Sequence, residues 1–416
     1  MAIFKPFRGL RPPKEISEEI ACLPYDVMNT EEAELMARGK ERSLLRITHA
    51  EIECPEITDI HSEVVYNKAL ENFNSFQDKG WLVRDEEPKF YIYAQTMNGR
   101  TQYGIVGGAA CSDYEEGIIK KHELTRHDKE EDRMMLTLYL NANIEPVFFA
   151  YKAVKEIDDI VGNVVKNADP DYDFIADDGY GHHFWVVDNP EMIRDIERLF
   201  SEKVSCTYVA DGHHRTAAAA RVGLKKREMN PLHTGDEAYN FFMAVLFPDD
   251  QLHILDYNRV IADLNRLSDE EFISRLNRGF EVTKTGHNTY KPERLHEFGL
   301  YLSGNWYKLT ARKGTFNDED PLGGLDVTIL SEQVLGPILG ITDLRTSKRI
   351  DFIGGIRGTE ELKRRVDSGG MKAAFALYPV SVQQLIKIAD SGNIMPPKTT
   401  WFEPKLRSGL VINKLT

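Results

Sequence analysis

The stretch V-A-D-G-H-H-R-T-A-A-A-A, residues 209–220, constrains the fold more than any other part of the chain. Apolar residues run into Asp211-Gly212, then two histidines and an arginine, then a run of alanines. The pattern predicts a strand over 204–210, a tight turn at Asp211-Gly212, and a helix from about His214. Glycine suits that turn because it has no Cβ to oppose a left-handed backbone. A helix N-terminus presents unbonded N–H groups and the positive end of the helix dipole, and both favour an anion. Arg215 in the first turn opposes the same dipole. Its presence is accounted for if its planar fork holds phosphate oxygens. Gly212, His213, His214, Arg215 and Thr216 are therefore expected to cradle a phosphate, with alanines letting the helix pack closely behind them. The plainer alternative has Asp211 capping the helix and the histidines satisfied in the core. Five such residues in succession between an apolar strand and an Ala-rich helix favour the cradle.

Other motifs narrow the chemistry. G-x-x-x-x-G-K-[ST] and the kinase H-R-D and D-F-G sets are absent. K-H-E-L-T-R-H-D-K-E-E-D-R, 121–133, resembles a zinc-protease H-E-x-x-H only superficially. His127 follows His122 by five positions, which on a helix sets it about 140° away. Glu123, just after the apolar G-I-I-K, has the chemistry of a general base; a solvated charge run is the plainer reading of 121–133. Lys129 and Arg133 either face the anion or pair along a helix with Glu130. Asp26, in P-Y-D-V, lines the site or makes an Asx-turn. Lys398, Thr399 and Thr400 offer an ammonium and two hydroxyls to a phosphate, against a Pro-stiffened tail docked by Trp401 and Phe402. His182-His183 and Cys206 are candidate metal ligands, although adjacent histidines seldom chelate one ion.

Composition limits the partners. The 416 residues are 42% hydrophobic, enough for two or three packed subregions. A net charge of −14 argues against coating nucleic acid or an anionic membrane. The four cysteines are scattered with no C-x-x-C, as expected of free thiols in a reducing compartment. The N-terminus carries no signal-like apolar core, so a cytoplasmic protein is expected. Neither nucleic acid nor membrane is an expected partner; a small-molecule substrate is, and at most a second copy of the chain.

Coarse patterning predicts a helix over 62–79, a hairpin turning at Asn98-Gly99, and a helix over 130–142. Strands are predicted in E-P-V-F-F-A-Y, G-H-H-F-W-V-V-D and F-F-M-A-V-L-F. Beyond residue 250, a capping box at Ser268 and Glu271 opens a helix, a second hairpin follows, and M-K-A-A-F-A-L precedes a further helix. Strands and helices mix without a βαβ beat, which predicts an α+β (mixed α/β) fold. The expected regions are 1–110, an N-terminal α/β region; 111–250, the core; and 251–416, a C-terminal α/β region packed on it.

The pairing of H-E, 122–123, with P-V, 146–147, and D-G-H-H-R, 211–215, resembles the ParB/sulfiredoxin-like superfamily, and within it the free-serine kinase branch. End to end, F-R-G-L-R, P-Y-D-V, K-H-E-L-T, K-E-E-D-R, A-D-G-H-H-R-T-A-A and M-P-P-K-T-T-W-F-E-P-K resemble a bacterial and archaeal family carrying a domain of unknown function. The resemblance implies a phosphotransferase acting on a small hydroxylated metabolite, free L-serine or phosphoserine first. Glu123 would take the hydroxyl proton, with His122 beside it. His213, His214, Arg215 and the helix N-terminus would stabilise the moving phosphoryl group. Asp211 would hold Mg²⁺ or orient a histidine, and the donor would be ATP, ADP or pyrophosphate. Two alternatives stand beside it: a CTP- or ATP-binding switch, and a metal-dependent phosphohydrolase.

Overall fold

A computed structural model describes residues 1–54 and 59–416. Two units divide the chain: Met1–Leu252 with Pro404–Thr416, and His253–Glu403. Both mix helices and strands, so the fold is mixed α/β.

The strands that build the first unit's main sheet are β1 (Phe4–Lys5), β2 (Phe90–Met97), β3 (Arg100–Ala110), β4 (Ile119–Lys120), β5 (Val147–Tyr151), β6 (Tyr172–Ile175), β7 (Gly181–Val187), β8 (Thr207–Asp211) and β9 (Phe241–Pro248). Among the described residues they form a sheet in the order β4-β8-β5-β9-β3-β2-β7-β6, with β1 also paired to β3. The β4–β8 and β5–β9 pairs are parallel and the rest antiparallel. β3 pairs directly with β9, so one sheet draws on both the 1–110 and the 111–250 stretches. The β2–β3 hairpin turns at Asn98 and Gly99, with φ of 53° and 76°, the left-handed pair that a tight hairpin requires.

Six helices of this unit matter here: α1 (Thr30–Ala37), α2 (Glu63–Asp78), α3 (His127–Leu140), α4 (Lys155–Asn167), α5 (Pro190–Lys203) and α6 (His213–Met229). Of the face that the periodicity predicts, Tyr66, Ala69, Leu70, Phe73 and Phe76, α2 buries all but Leu70, which is half-buried. α3 stops where Asn141 turns left-handed, at φ 50°. The strand expected over 204–210 begins only at Thr207, because α5 continues to Lys203 and occupies the approach to that stretch. A bulge between Val209 and Asp211 re-aims the end of β8. Behind the turn, Ala217, Ala218, Ala219 and Ala220 are all buried. At Gly223, on the same helix, a Cβ would come 2.6 Å from Cys111 Sγ and 2.8 Å from the Tyr239 carbonyl. The small side chains thus answer a close approach of backbone to backbone.

The second unit holds β10 (Tyr257–Ile261), β11 (Phe280–Gly286), β12 (Glu297–Leu302), β13 (Asn305–Ala311), β14 (Ile350–Gly354) and β15 (Ala373–Leu377). Among its described residues these make a sheet in the order β11-β13-β12-β15-β10-β14. Helices α7 (Asp269–Leu276), α8 (Gly358–Asp367) and α9 (Val382–Asp390) accompany it. The Ser268–Glu271 capping box forms as its spacing predicts.

Asp326 is a buried liability of this unit. It accepts the His296 N–H at 2.9 Å, while its other oxygen finds no partner among the described residues. Burial lifts its carboxyl to about 7. Between the unfolded value near 4 and that value the folded state binds the extra proton, so stability falls as pH rises through this window. Asp326→Asn is expected to remove that decline and to gain on the order of 2 kcal/mol at pH 8, as read by urea titrations at pH 5 and pH 8.

Candidate functional site

Parallel pairing of β4 with β8 brings the two motifs together. Ile119 lies opposite Thr207, and Lys120 opposite Tyr208. Beyond the strand ends, the Arg126 N–H donates to His214 Nε2 at 3.0 Å. The His122 and His213 rings meet edge to face, with centroids 4.5 Å apart. A hollow of about 30 Å³ lies between the segments, lined by Lys121, Glu123, Val209 and His213 among others.

Both of these histidines are neutral near pH 7. Burial, opposed in part by Asp211, pushes His122 down to about 4. Burial first, and then the neighbouring His122, hold His213 well below its usual value. His213 Nε2 has no hydrogen-bond partner among the described residues although the residue is only 8% exposed. Buried polar atoms left in this state are few in a native fold, and this residue lines the hollow.

The remaining motif residues surround Arg215. Its Nη1 donates to the Pro146 carbonyl at 2.6 Å, and Nη2 lies 3.4 Å from Asp211 and 3.6 Å from Asp26. Burial alone would lower its pKa; Asp26 and Asp211 more than offset that. Where the sequence suggests an external phosphate for Arg215, the fold supplies two carboxylates of the chain itself. Its role in this arrangement is to hold Asp26 and Asp211 at one nitrogen. Arg133 likewise holds two carboxylates, but on different nitrogens: Asp132 at 2.6 Å from Nη2 and Glu145 at 3.3 Å from Nη1, with the Tyr25 ring centroid 4.0 Å from its guanidinium carbon. Glu145 in turn accepts the Tyr25 N–H at 2.9 Å, which fixes the turn that carries Asp26. Arg133 therefore belongs to this network, while Glu130 pairs with Arg221 at 2.9 Å.

Gly212 is left-handed, at φ 88°, and a Cβ there would lie 3.1 Å from Arg215 Nε. Gly212→Ala is expected to cost about 1–2 kcal/mol from the backbone alone, measured as a lower denaturation midpoint with unchanged far-UV circular dichroism. Thr216 is fully buried and its hydroxyl donates to the Gly212 carbonyl at 3.0 Å, so its polar atom is turned into the helix.

Lys405, the last residue of the M-P-P-K-T-T-W-F-E-P-K run, is not among the site residues expected from the sequence. Its Nζ lies 3.6 Å from Asp211 Oδ1. It closes the W-F-E-P-K run that follows Lys398, Thr399 and Thr400. Lys398 and Thr399 belong to the second unit: the Lys398 carbonyl accepts from Arg259 Nη2 at 3.0 Å, and the Thr399 hydroxyl donates to the Pro396 carbonyl at 2.6 Å.

His182 and His183 point to opposite faces of β7, as neighbours on a strand must. His182 meets Tyr93 at 2.7 Å and His183 meets Asp173 at 2.8 Å, whereas Cys206 contacts the Tyr208 hydroxyl. Among the described residues no group of three or more His, Cys, Asp or Glu side chains is arranged to hold a metal ion. Asp26 and Asp211, meeting at Arg215, still suit Mg²⁺, which takes one or two carboxylates and completes its shell with water and phosphate. No helix among the described residues is long and apolar enough to cross a membrane.

Several solved structures are similar over most of their length. A free serine kinase in complex with AMP matches at a TM-score of 0.36 and 13% identity, covering 74% of this chain and 91% of its own. A conserved hypothetical protein from Pyrococcus furiosus matches at 0.35 and 14%, covering 74% and 95%. SbnI with a C-terminal truncation, from Staphylococcus aureus, matches at 0.37 and 10%, covering 73% and 85%. No curated protein matches the chain. The model of the DUF1015 family, described as a protein of unknown function, matches residues 4–328, and the chain belongs to that family.

Proposed function

We propose that the chain transfers a phosphoryl group to the hydroxyl of a small metabolite, free L-serine first, from ATP, ADP or pyrophosphate. One observation carries this reading: Glu123 and His213, whose Nε2 has no hydrogen-bond partner among the described residues, line one hollow at the carboxyl ends of two parallel strands. A carboxylate beside a helix N-terminus combines a proton acceptor with donors for an anion. Phosphoryl transfer asks for that combination, because its barrier yields to positioning and charge stabilisation.

In this scheme Glu123 accepts the hydroxyl proton as the oxygen attacks the terminal phosphorus, whose bond to the bridging oxygen breaks and releases ADP, AMP or orthophosphate from ATP, ADP or pyrophosphate respectively. Neutral His213 donates from the ring to a phosphoryl oxygen, and the N–H groups of the first α6 turn face the developing charge. Lys121, which lines the same hollow, adds a positive charge. Asp26 and Asp211 would hold Mg²⁺, which when bound offsets the charge of the donor phosphates. Arg215 and Lys405 keep those two carboxylates in place.

The test mixes purified protein, Mg²⁺ and L-serine with ATP, ADP or pyrophosphate in turn and follows phosphoserine by ³¹P NMR. Phosphoserine from at least one donor is the expected result. Nucleotide hydrolysis or tight nucleotide binding with no phosphorylated acceptor, across a panel of hydroxylated amino acids, would reject it in favour of a nucleotide switch.

A further inference from the structure

A second, much larger cavity of about 720 Å³ lies in the first unit and shares no lining residue with the hollow beside Glu123. One part of its wall is apolar: Leu23, Met36 on α1, Phe174 on β6, and Ala176. The other part is a preset ion pair. Arg407 has a side chain only 6% exposed and pairs with Asp178, which is 34% exposed. The Arg407 N–H donates to the Tyr93 hydroxyl at 3.1 Å and its Nε donates to His182 Nε2 at 3.3 Å. His182 is neutral, held down by burial and then by Arg407, so that nitrogen accepts. Nε and Nη2 are thus committed, and Nη1 takes part in none of these bonds. A rigid, desolvated guanidinium with an unused edge is a recognition group for a carboxylate.

The rim decides the sign of the ligand. Lys40 pairs with Asp177 at 3.1 Å and Arg42 with Glu19 at 2.8 Å. Glu18 and Glu41 add two further negative charges to the lining. A ligand carrying only negative charge meets that field unfavourably, and one carrying only positive charge leaves the Arg407 edge unmatched. A ligand with both charges a few ångströms apart satisfies the Arg407–Asp178 pair, anion to Nη1 and cation to the carboxylate.

We infer that this cavity binds a zwitterion of the amino-acid type with a large apolar side chain. Its carboxylate would lie on Arg407, its ammonium on Asp178, and its side chain along Leu23, Met36 and Phe174. The volume is that of a typical small-molecule site and far exceeds what a serine-sized ligand fills. The inference is independent of the phosphoryl-transfer reading.

Isothermal titration calorimetry with three indoles tests it: L-tryptophan, tryptamine (cation only) and indole-3-propionate (anion only). L-tryptophan is expected to bind about tenfold or more tightly than either half-ligand. Ala176→Trp fills the cavity without removing a hydrogen-bonding side chain and is expected to weaken that binding by about tenfold or more, as is Arg407→Gln. Glu123→Gln should leave it unchanged. Absence of L-tryptophan binding at millimolar concentration, equal binding of tryptamine, or full binding by Ala176→Trp with an unchanged thermal melt would each overturn the inference. So would loss of binding in Glu123→Gln, which would relocate the ligand to the other hollow.

Discussion

Glu123→Gln is expected to lower phosphoryl transfer by about 10²–10⁴-fold, the range over which a positioned general base contributes. The substitution keeps the shape of a side chain that lines the hollow with His213 and removes only its capacity to take a proton. Donor affinity should therefore stay within about twofold. The measurement is kcat from phosphoserine formation beside a direct donor titration. Undiminished turnover would mean that another group accepts the proton, and the assignment of Glu123 would fail. A parallel fall in donor affinity would make Glu123 a binding group instead.

Arg133→Met is expected to remove about 3–5 kcal/mol of stability, the cost of leaving buried charges without their partner. Asp132 and Glu145 each have side chains only 4% exposed and both lean on this guanidinium. The loss should reach the site as well, since Glu145 holds the backbone of the turn carrying Asp26. Denaturant unfolding reads the first effect. Adding Asp132→Asn and Glu145→Gln to Arg133→Met should recover a large part of the stability, because it removes the stranded charges themselves. If the triple variant is no better than the single one, packing against Tyr25 rather than charge accounts for the loss.

Part of this organisation is legible in the residues alone. The hairpin at Asn98-Gly99, the helix at 63–78 and the capping box at Ser268 follow from backbone preferences and from the spacing of apolar residues over a few positions. The turn at Gly212 is of the same kind. α4 and α5 are absent from the coarse patterning although their signals are local too: Asn189 caps α5 just before Pro190, and both helices bury apolar residues at helical spacing. Arg215 is legible as a functional arginine, but what it touches is not. By residue type phosphate is its natural partner; the fold adds Asp26, from far upstream, to its surroundings.

Local rules suffice for the strand–turn–helix junction at 207–229, for the small residues behind it, and for the chemistry on offer: a carboxylate at 123, neutral-capable histidines, and carboxylates at 26 and 211. These rest on turn geometry, helix termini and side-chain type, all of which act over a few residues. Only the folded chain sets β4 and β8 parallel, brings Lys405 to Asp211, and turns Arg407 to a separate cavity. Sheet order and the burial of ion pairs depend on contacts between segments far apart along the chain, and no local preference of the backbone specifies which of those segments meet.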